Sequence, residues 1–300
     1  MNPRIASCLF LCLSAALAIA VPAMAQDEYV DTPFGKVPKE CYRQHPAGTT
    51  LSQITNGVRA RHADGTTRDY VSSEKCLAFG RTFKPNRLKS AMAPPVSEHW
   101  FDLAGWQAPQ QVGQFTATYT LPGLPASQGA QKLDYYIGLQ DTDSLPAAIL
   151  QPVLEYLNGV YSLSSWNCCP SGQVNQGNIV TGMQPGDTIS ASIMQTQQSP
   201  PTYAINGVWK GQTADLTVDV GSENFVLTFV GLETYYVAAC DQFLIGQFVF
   251  SPLYMANVNN QELIPTWGVN PANGTSCNNQ VTVNGPGITI ELNGSSSQRR

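Results

Sequence analysis

Charge is scarce in this chain. Only 12% of its 300 residues are Asp, Glu, Lys or Arg, about half the usual share. The formal net charge of −5 leaves no basic footprint, which excludes nucleic acid as the main partner. Histidine is scarcer still: His45, His62 and His99 are the only three. With so few imidazoles and no C-x-x-C pair, clustered zinc ligands are lacking, and neither a metal nor another cofactor is expected. G-x-S-x-G, H-E-x-x-H, phosphate-loop and dinucleotide motifs are all absent. A Ser-His-Asp triad would have to recruit one of the three histidines, and His45 beside Pro46 and His62 beside a turn both read as surface residues.

Long apolar runs are missing beyond the N-terminus, where no segment approaches 18 uninterrupted apolar residues. Residues 8–21 are a short apolar stretch preceded by Arg4 and followed by the small-x-small pattern Ala23-Met24-Ala25. That is a secretory signal, so residues 1–25 are expected to be removed and the protein to be secreted or periplasmic, off the membrane. The mature chain keeps Cys41, Cys76, Cys168, Cys169, Cys240 and Cys277. An even number in an exported chain implies disulfides, with 15 conceivable pairings. Ring strain disfavours a bond between neighbours, so Cys168 and Cys169 are each expected to find a distant partner.

What is abundant is neutral polarity and β pattern. Residues 114–121 alternate Phe115, Ala117, Tyr119 and Leu121 against Gln114, Thr116, Thr118 and Thr120, the period of a half-buried strand. Further strands are expected at 133–139, 148–157, 178–182, 188–195, 202–209, 215–220, 225–237, 243–250 and 253–258. Turn signals recur every eight to twelve residues, and no amphipathic helix of three turns is evident. The rhythm predicts an all-β antiparallel sandwich or barrel. Four parts are expected: signal 1–25, N-terminal extension 26–95 ending at Ala93-Pro94-Pro95, β-sandwich 96–265, and C-terminal hairpin and tail 266–300. In the extension, residues 50–54 and 58–62 are a candidate strand pair.

The chemically informative stretch is residues 135–156. In the strand around residue 151, Ile149, Gln151, Val153 and Glu155 share one face. A glutamine and a glutamate thus interrupt an apolar strand on the same side, which marks a polar network, a cleft or a solvent-facing edge.

Here the chain resembles the glutamic peptidases of the eqolisin type. The likeness rests on G-L-Q-D (138–141) and A-I-L-Q (148–151), on Trp106 followed by F-T-A-T-Y-T-L-P, on the Trp166 segment and on P-G-D-T-I. It spans roughly residues 97–258 and is most specific at I-L-Q. The chain is also similar to a set of exported relatives with I-L-Q-P-V-L and a later L-E-x-Y before a cysteine, here Leu232 to Tyr235 and Cys240. The resemblance implies a concanavalin-like sandwich with a cleft on one sheet, acting as a monomer on protein or peptide in acid. Gln151 would donate to the oxyanion, and Glu233 would act as general base and then acid. Glu155 and Asp141 would be supporting acids, and Tyr136, Trp166 and Tyr235 would line the substrate site.

Glu155 itself is ~13 Å along its strand from Gln151, too far to share a carbonyl with it. That favours a partner from another strand and hence Glu233. The chain departs from the family's E-W-I-V, because Thr234 separates Glu233 from Tyr235; a register following the aromatic residue puts Thr234 in the catalytic slot. The alternative function is a non-catalytic sandwich that binds carbohydrate or peptide through Trp106, Tyr135, Tyr136, Trp166, Tyr235 and Tyr236. Ordinary core packing is the competing account of those rings.

Overall fold

The computed structural model describes residues 28–83, 102–143, 148–270, 277 and 279–293. The signal segment, His99 and the proline break at 93–95 lie outside them.

In chain order the first strands are β1 (Tyr29–Thr32), β2 (Gly35–Pro38), β3 (Tyr42–Gln44), β4 (Thr50–Ile54), β5 (Gly57–Arg61) and β6 (Thr67–Val71). Helix α1 (Glu74–Thr82) follows, its first turn capped by the Ser73 hydroxyl, which accepts the Cys76 N–H at 3.3 Å. Next come β7 (Asp102–Gln107), β8 (Val112–Thr120), β9 (Lys132–Asp141), β10 (Ile149–Leu157), β11 (Val160–Cys168) and β12 (Val174–Met183). They are followed by β13 (Thr188–Gln198), β14 (Pro201–Trp209), β15 (Gln212–Asp219) and β16 (Phe225–Tyr235). The last are β17 (Ile245–Asn257), β18 (Gly268–Asn270), β19 (Gln280–Asn284) and β20 (Gly287–Asn293).

They build a β-sandwich. One sheet has the order β18-β7-β16-β9-β10-β11-β12-β3, the other β19-β20-β17-β8-β13-β14-β15-β4-β5-β6, and β1–β2 is a separate hairpin. Pairing is antiparallel except where the N-terminal segment joins each sheet, β3 on β12 and β4 on β15. The alternation expected of β8 holds: Phe115, Ala117 and Tyr119 are buried while Gln114, Thr116 and Thr118 are partly exposed. Tyr119 and its neighbours meet the opposite sheet in one apolar core, where Tyr135 stacks on Phe248 at 4.2 Å between ring centroids.

Two strands read as separate at 243–250 and 253–258 are one, β17, with a register shift between Phe250 and Leu253 that accommodates Pro252. Strand β11 is rich in serine and carries little apolar signal. Its inward Ser165 hydroxyl lies 2.8 and 2.9 Å from the Ile205 and Ala214 carbonyl oxygens, which makes a polar residue tolerable in the core.

The cysteines pair as Cys41–Cys76, Cys168–Cys169 and Cys240–Cys277. The expectation of distant partners for Cys168 and Cys169 is therefore corrected: the other four cysteines satisfy one another and leave these two neighbours together. His45 is corrected too. It is 2% exposed, its Nε2 lies 3.0 Å from Asn175 Oδ1, and burial pulls its pKa below the usual imidazole value.

Strands β9 and β16 are buried at every position. One face of each meets the inter-sheet core. The other is covered by the N-terminal segment, through a second apolar cluster joining Val37, Cys41 and Cys76 to Tyr136, Val153, Trp166 and Phe229. That covered face carries the candidate site.

Candidate functional site

Strand register arranges the covered face in rows. Strand β10 pairs β9 with Ile149 opposite Gln140, Leu150 opposite Leu139 and Val153 opposite Tyr136, which sets Gln151 opposite Gly138. Gly138 in turn faces Phe229 of β16, and on its other side Gln151 faces Trp166 of β11, which faces Gln176 of β12. The first row therefore reads Gln176, Trp166, Gln151, Gly138, Phe229. The next holds Ser164, Val153, Tyr136 and Gly231, and the third Ser162, Glu155, Asp134 and Glu233.

The upper row is amide and aromatic. Gln151 is fully buried, and among the described residues neither its carboxamide oxygen nor its nitrogen has a hydrogen-bond partner. The Trp166 indole donates to Ser164 Oγ at 2.8 Å, and Gln176 Nε2 donates to the same oxygen at 3.0 Å. The Tyr42 hydroxyl donates to Gln176 Oε1. Phe229 meets Tyr136 edge-on at 5.8 Å, and its ring lies where a side chain on residue 138 would stand, so only glycine fits there.

The lower row is acidic. The Lys132 ammonium lies 3.3 Å from Asp134 Oδ2 and 3.1 Å from Glu155 Oε2. The first contact is an ion pair without hydrogen-bond alignment, since neither Asp134 oxygen has a hydrogen-bond partner among the described residues. Burial raises the Asp134 pKa to about 7 against the opposing pull of Lys132. Glu233, 1% exposed and directly opposite Asp134, is held well above the ordinary carboxyl value by burial and then by Asp134. Lys132 is itself held above its usual value, its carboxylate neighbours outweighing the cost of burial.

Gln151 and Glu233 thus share a face but not a place. The step from Phe229 to Glu233 is four residues and one strand, β9, lies between β10 and β16, so their backbones are separated by ~13 Å along the strands and, over two strand spacings, ~10 Å across them, ~16 Å in all. The objection that removes Glu155 as a direct partner removes Glu233 equally, because both stand in the third row. The residue level with Gln151 on β16 is Phe229, and a hydrocarbon ring neither takes nor gives a proton. Thr234 has the opposite strand parity from Glu233 and so does not reach the face either.

Of the remaining expected residues, Tyr136, Trp166 and Tyr235 do line the covered face, and Glu155 lies at its rim, paired with Lys132 and 3.4 Å from the Ser162 hydroxyl. Asp141 does not belong to it. It has the parity of Leu139, and its Oδ1 accepts the Asp143 and Asn224 N–H groups at 2.9 and 3.3 Å, tying two loops together. Tyr135 and Trp106 pack against the inter-sheet core, and Tyr236 is 48% exposed.

What covers the face is the chain's own β1–β2 hairpin. Its turn runs from Thr32 to Gly35, closed by the Thr32 hydroxyl donating to the Gly35 carbonyl at 2.9 Å, with Gly35 at φ +89°. The Tyr235 hydroxyl lies 2.8 Å from the Thr32 carbonyl oxygen and 2.8 Å from Glu233 Oε1, and it accepts the Gly35 N–H at 3.1 Å. Phe34 stands edge-on to Trp166 at 6.2 Å and to Phe83 at 6.3 Å. Lys132 Nζ donates to the Asp31 carbonyl at 3.4 Å, and the Tyr236 hydroxyl lies 3.0 Å from both Asp31 carboxylate oxygens.

Sequence reasoning missed Lys132, Asp134 and this hairpin. The first two had a signal: at a spacing of two from Tyr136, they put two charges on one face of an otherwise apolar strand.

No family profile and no curated protein matches the chain. Among solved structures it is similar to scytalido-glutamic peptidase with a transition state analog inhibitor, at 15% identity and a TM-score of 0.49, covering 66% of this chain and 100% of that one. It is similar to SCP-B, an eqolisin-family peptidase in complex with the tripeptide Ala-Ile-His, at 15% identity and 0.43 over the same shares. Aspergilloglutamic peptidase from Aspergillus niger gives 17% and 0.38, over 53% of this chain and 98% of that one. At these values the likeness is distant, and the reading of the site rests on the rows above.

Proposed function

We propose that this is an exported β-sandwich that binds polypeptide on the covered face of its eight-stranded sheet and lacks a water-activating Glu/Gln pair. The observation that carries the reading is occupancy: a hairpin of the chain itself lies on the face. Its turn is gripped through main-chain atoms by Tyr235 and through one aromatic side chain beside Trp166. Backbone contacts for affinity with a pocket for a chosen side chain are the two components of peptide recognition on β surfaces. The unpaired Gln151 carboxamide suits the same purpose, since a peptide group offers one donor and one acceptor to match it. Phe229 level with Gln151 argues against catalysis there, and the three disulfides fit an oxidising, extracytoplasmic setting.

One observation favours a second reading. The Glu233 carboxyl, its pKa held well above the ordinary value by burial and then by Asp134, suits proton exchange in acid, so an acid endopeptidase would use Glu233 if departure of the hairpin let substrate reach it.

A single set of measurements separates the two. A fluorescent peptide with the sequence of residues 29–38 is titrated into the mature protein and into a Phe34→Ala variant, whose own hairpin competes less well. The peptide should bind the variant at least tenfold more tightly; no binding to either protein refutes the proposal. Denatured protein substrate is incubated in parallel across pH 2–7. Fragments that vanish with Glu233→Gln would replace the binding reading with the catalytic one.

A further inference from the structure

The contacts of the Tyr235 hydroxyl impose a proton count. The Gly35 N–H donates into this oxygen, so the hydroxyl's single proton remains for two acceptors, the Thr32 carbonyl and Glu233 Oε1, each at 2.8 Å. If Glu233 were ionised, both would need that proton, and a carboxylate is the stronger acceptor. The Thr32 carbonyl would then lose its bond. If Glu233 carries a proton, the conflict disappears: Glu233 donates to the Tyr235 oxygen and Tyr235 donates to Thr32.

We propose that Glu233 and Tyr235 form a proton-operated latch on the N-terminal hairpin, closed while the Glu233 carboxyl is protonated and released when it ionises. The latch rests on the hairpin's seat and not on what the face binds, so it stands or falls separately from the proposed function.

Other charged or titratable groups face the latch. Strand β9 contributes Lys132, Asp134 and Tyr136, and β10 contributes Glu155. The hairpin contributes Asp31 and Lys36, the residue after β16 is Tyr236, and β3 contributes Tyr42. Tyr42 is pushed up to about 12, and Tyr136 and Tyr235 are raised as well, so all three phenols remain neutral from pH 4 to 9. Burial raises Asp134 to about 7, inside that range, and its anion raises Glu233 further.

The sign follows from linkage. In the closed state burial, and then Asp134, raise the Glu233 pKa against the opposing Tyr235 hydrogen bond and Lys132, so a state in which the hairpin no longer buries Glu233 holds the proton less tightly. The stabilisation is complete below the ordinary carboxyl pKa. It falls by about tenfold per pH unit as pH rises towards the raised value, and levels off above it.

The test is amide hydrogen exchange on the full mature chain from pH 4 to 9, corrected for intrinsic exchange rates. It is read at residues 32–38, with strand β13 as the control for global folding. Wild-type protection of the hairpin should fall by tenfold or more as pH rises, while β13 stays protected. Glu233→Gln, a neutral donor of similar size, should keep the hairpin protected throughout. Tyr235→Phe should leave it weakly protected at every pH. Asp134→Asn should retain the transition and move it to lower pH. A flat wild-type profile overturns the latch, as does a Glu233→Gln hairpin that releases like wild type. A transition abolished by Asp134→Asn but kept by Glu233→Gln would also overturn it.

Discussion

Substituting Gln151 with methionine removes two buried polar atoms while nearly conserving the length and volume of the side chain. In the closed protein neither carboxamide atom is paired among the described residues and the residue is fully buried, so the folded state bears a desolvation cost without return. A buried group left unsatisfied costs about 1–3 kcal/mol. Methionine restores dispersion contacts with Trp166 and Val153 and removes that cost, so the variant should be more stable by about 2 kcal/mol. For a chain of this size that corresponds to about 4–8 °C in Tm. The comparison is made by calorimetry at pH 5, where the hairpin is closed in both proteins. The same variant should bind the hairpin-sequence peptide unchanged, since the seated hairpin leaves the carboxamide unpaired, and should bind more weakly a foreign peptide whose main chain reaches residue 151 when the face is open. Stability and binding moving in opposite directions is the mark of a polar group kept for a ligand. If Gln151→Met lowers the Tm instead, the carboxamide is paired in the folded protein, for instance through water, and the argument that it waits for a peptide group is wrong.

Two other perturbations test the architecture of the site. Gly138→Ala would drive a methyl into the Phe229 ring, so it should cost about 1–3 kcal/mol or more through overpacking, and Phe229→Leu in the same chain should recover part of it in urea unfolding. Replacing Cys41 and Cys76 with serine opens a loop of sequence separation 35; chain entropy puts the loss at up to about 4 kcal/mol. The increase in amide exchange should concentrate in residues 28–83, since this bridge joins the base of the hairpin to helix α1.

The fold was legible because its signal is local. The alternation of β8, the turn at Gln184-Pro185-Gly186-Asp187 and the terminal hairpin each follow from neighbouring residues, and each appears as expected. Strand β11 was not legible, because serines look like loop residues until their partners are known, as with Ser165, whose hydroxyl bonds to main-chain carbonyls. The face of the site could also be read, since strand parity alone puts Gln151 and Glu155 together on β10 and Glu233 and Tyr235 together on β16. The rows could not.

Whether Glu233 stands level with Gln151 depends on how β16 slides against β9, and β9 against β10. Each of those offsets is set by pairing between segments up to about a hundred residues apart, far beyond any periodicity within a strand. A shift of four residues leaves every inward and outward side chain on its own face, so the hydrophobic pattern is blind to it, yet it exchanges a carboxyl for a phenyl ring opposite the glutamine. That insensitivity is why I-L-Q, the most specific part of the likeness, bears on Gln151 and says nothing of the residue that stands level with it on β16. In this chain that level on β16 is taken by Phe229, whose ring fills the space over Gly138 where a carboxylate would have to stand to share a carbonyl with Gln151.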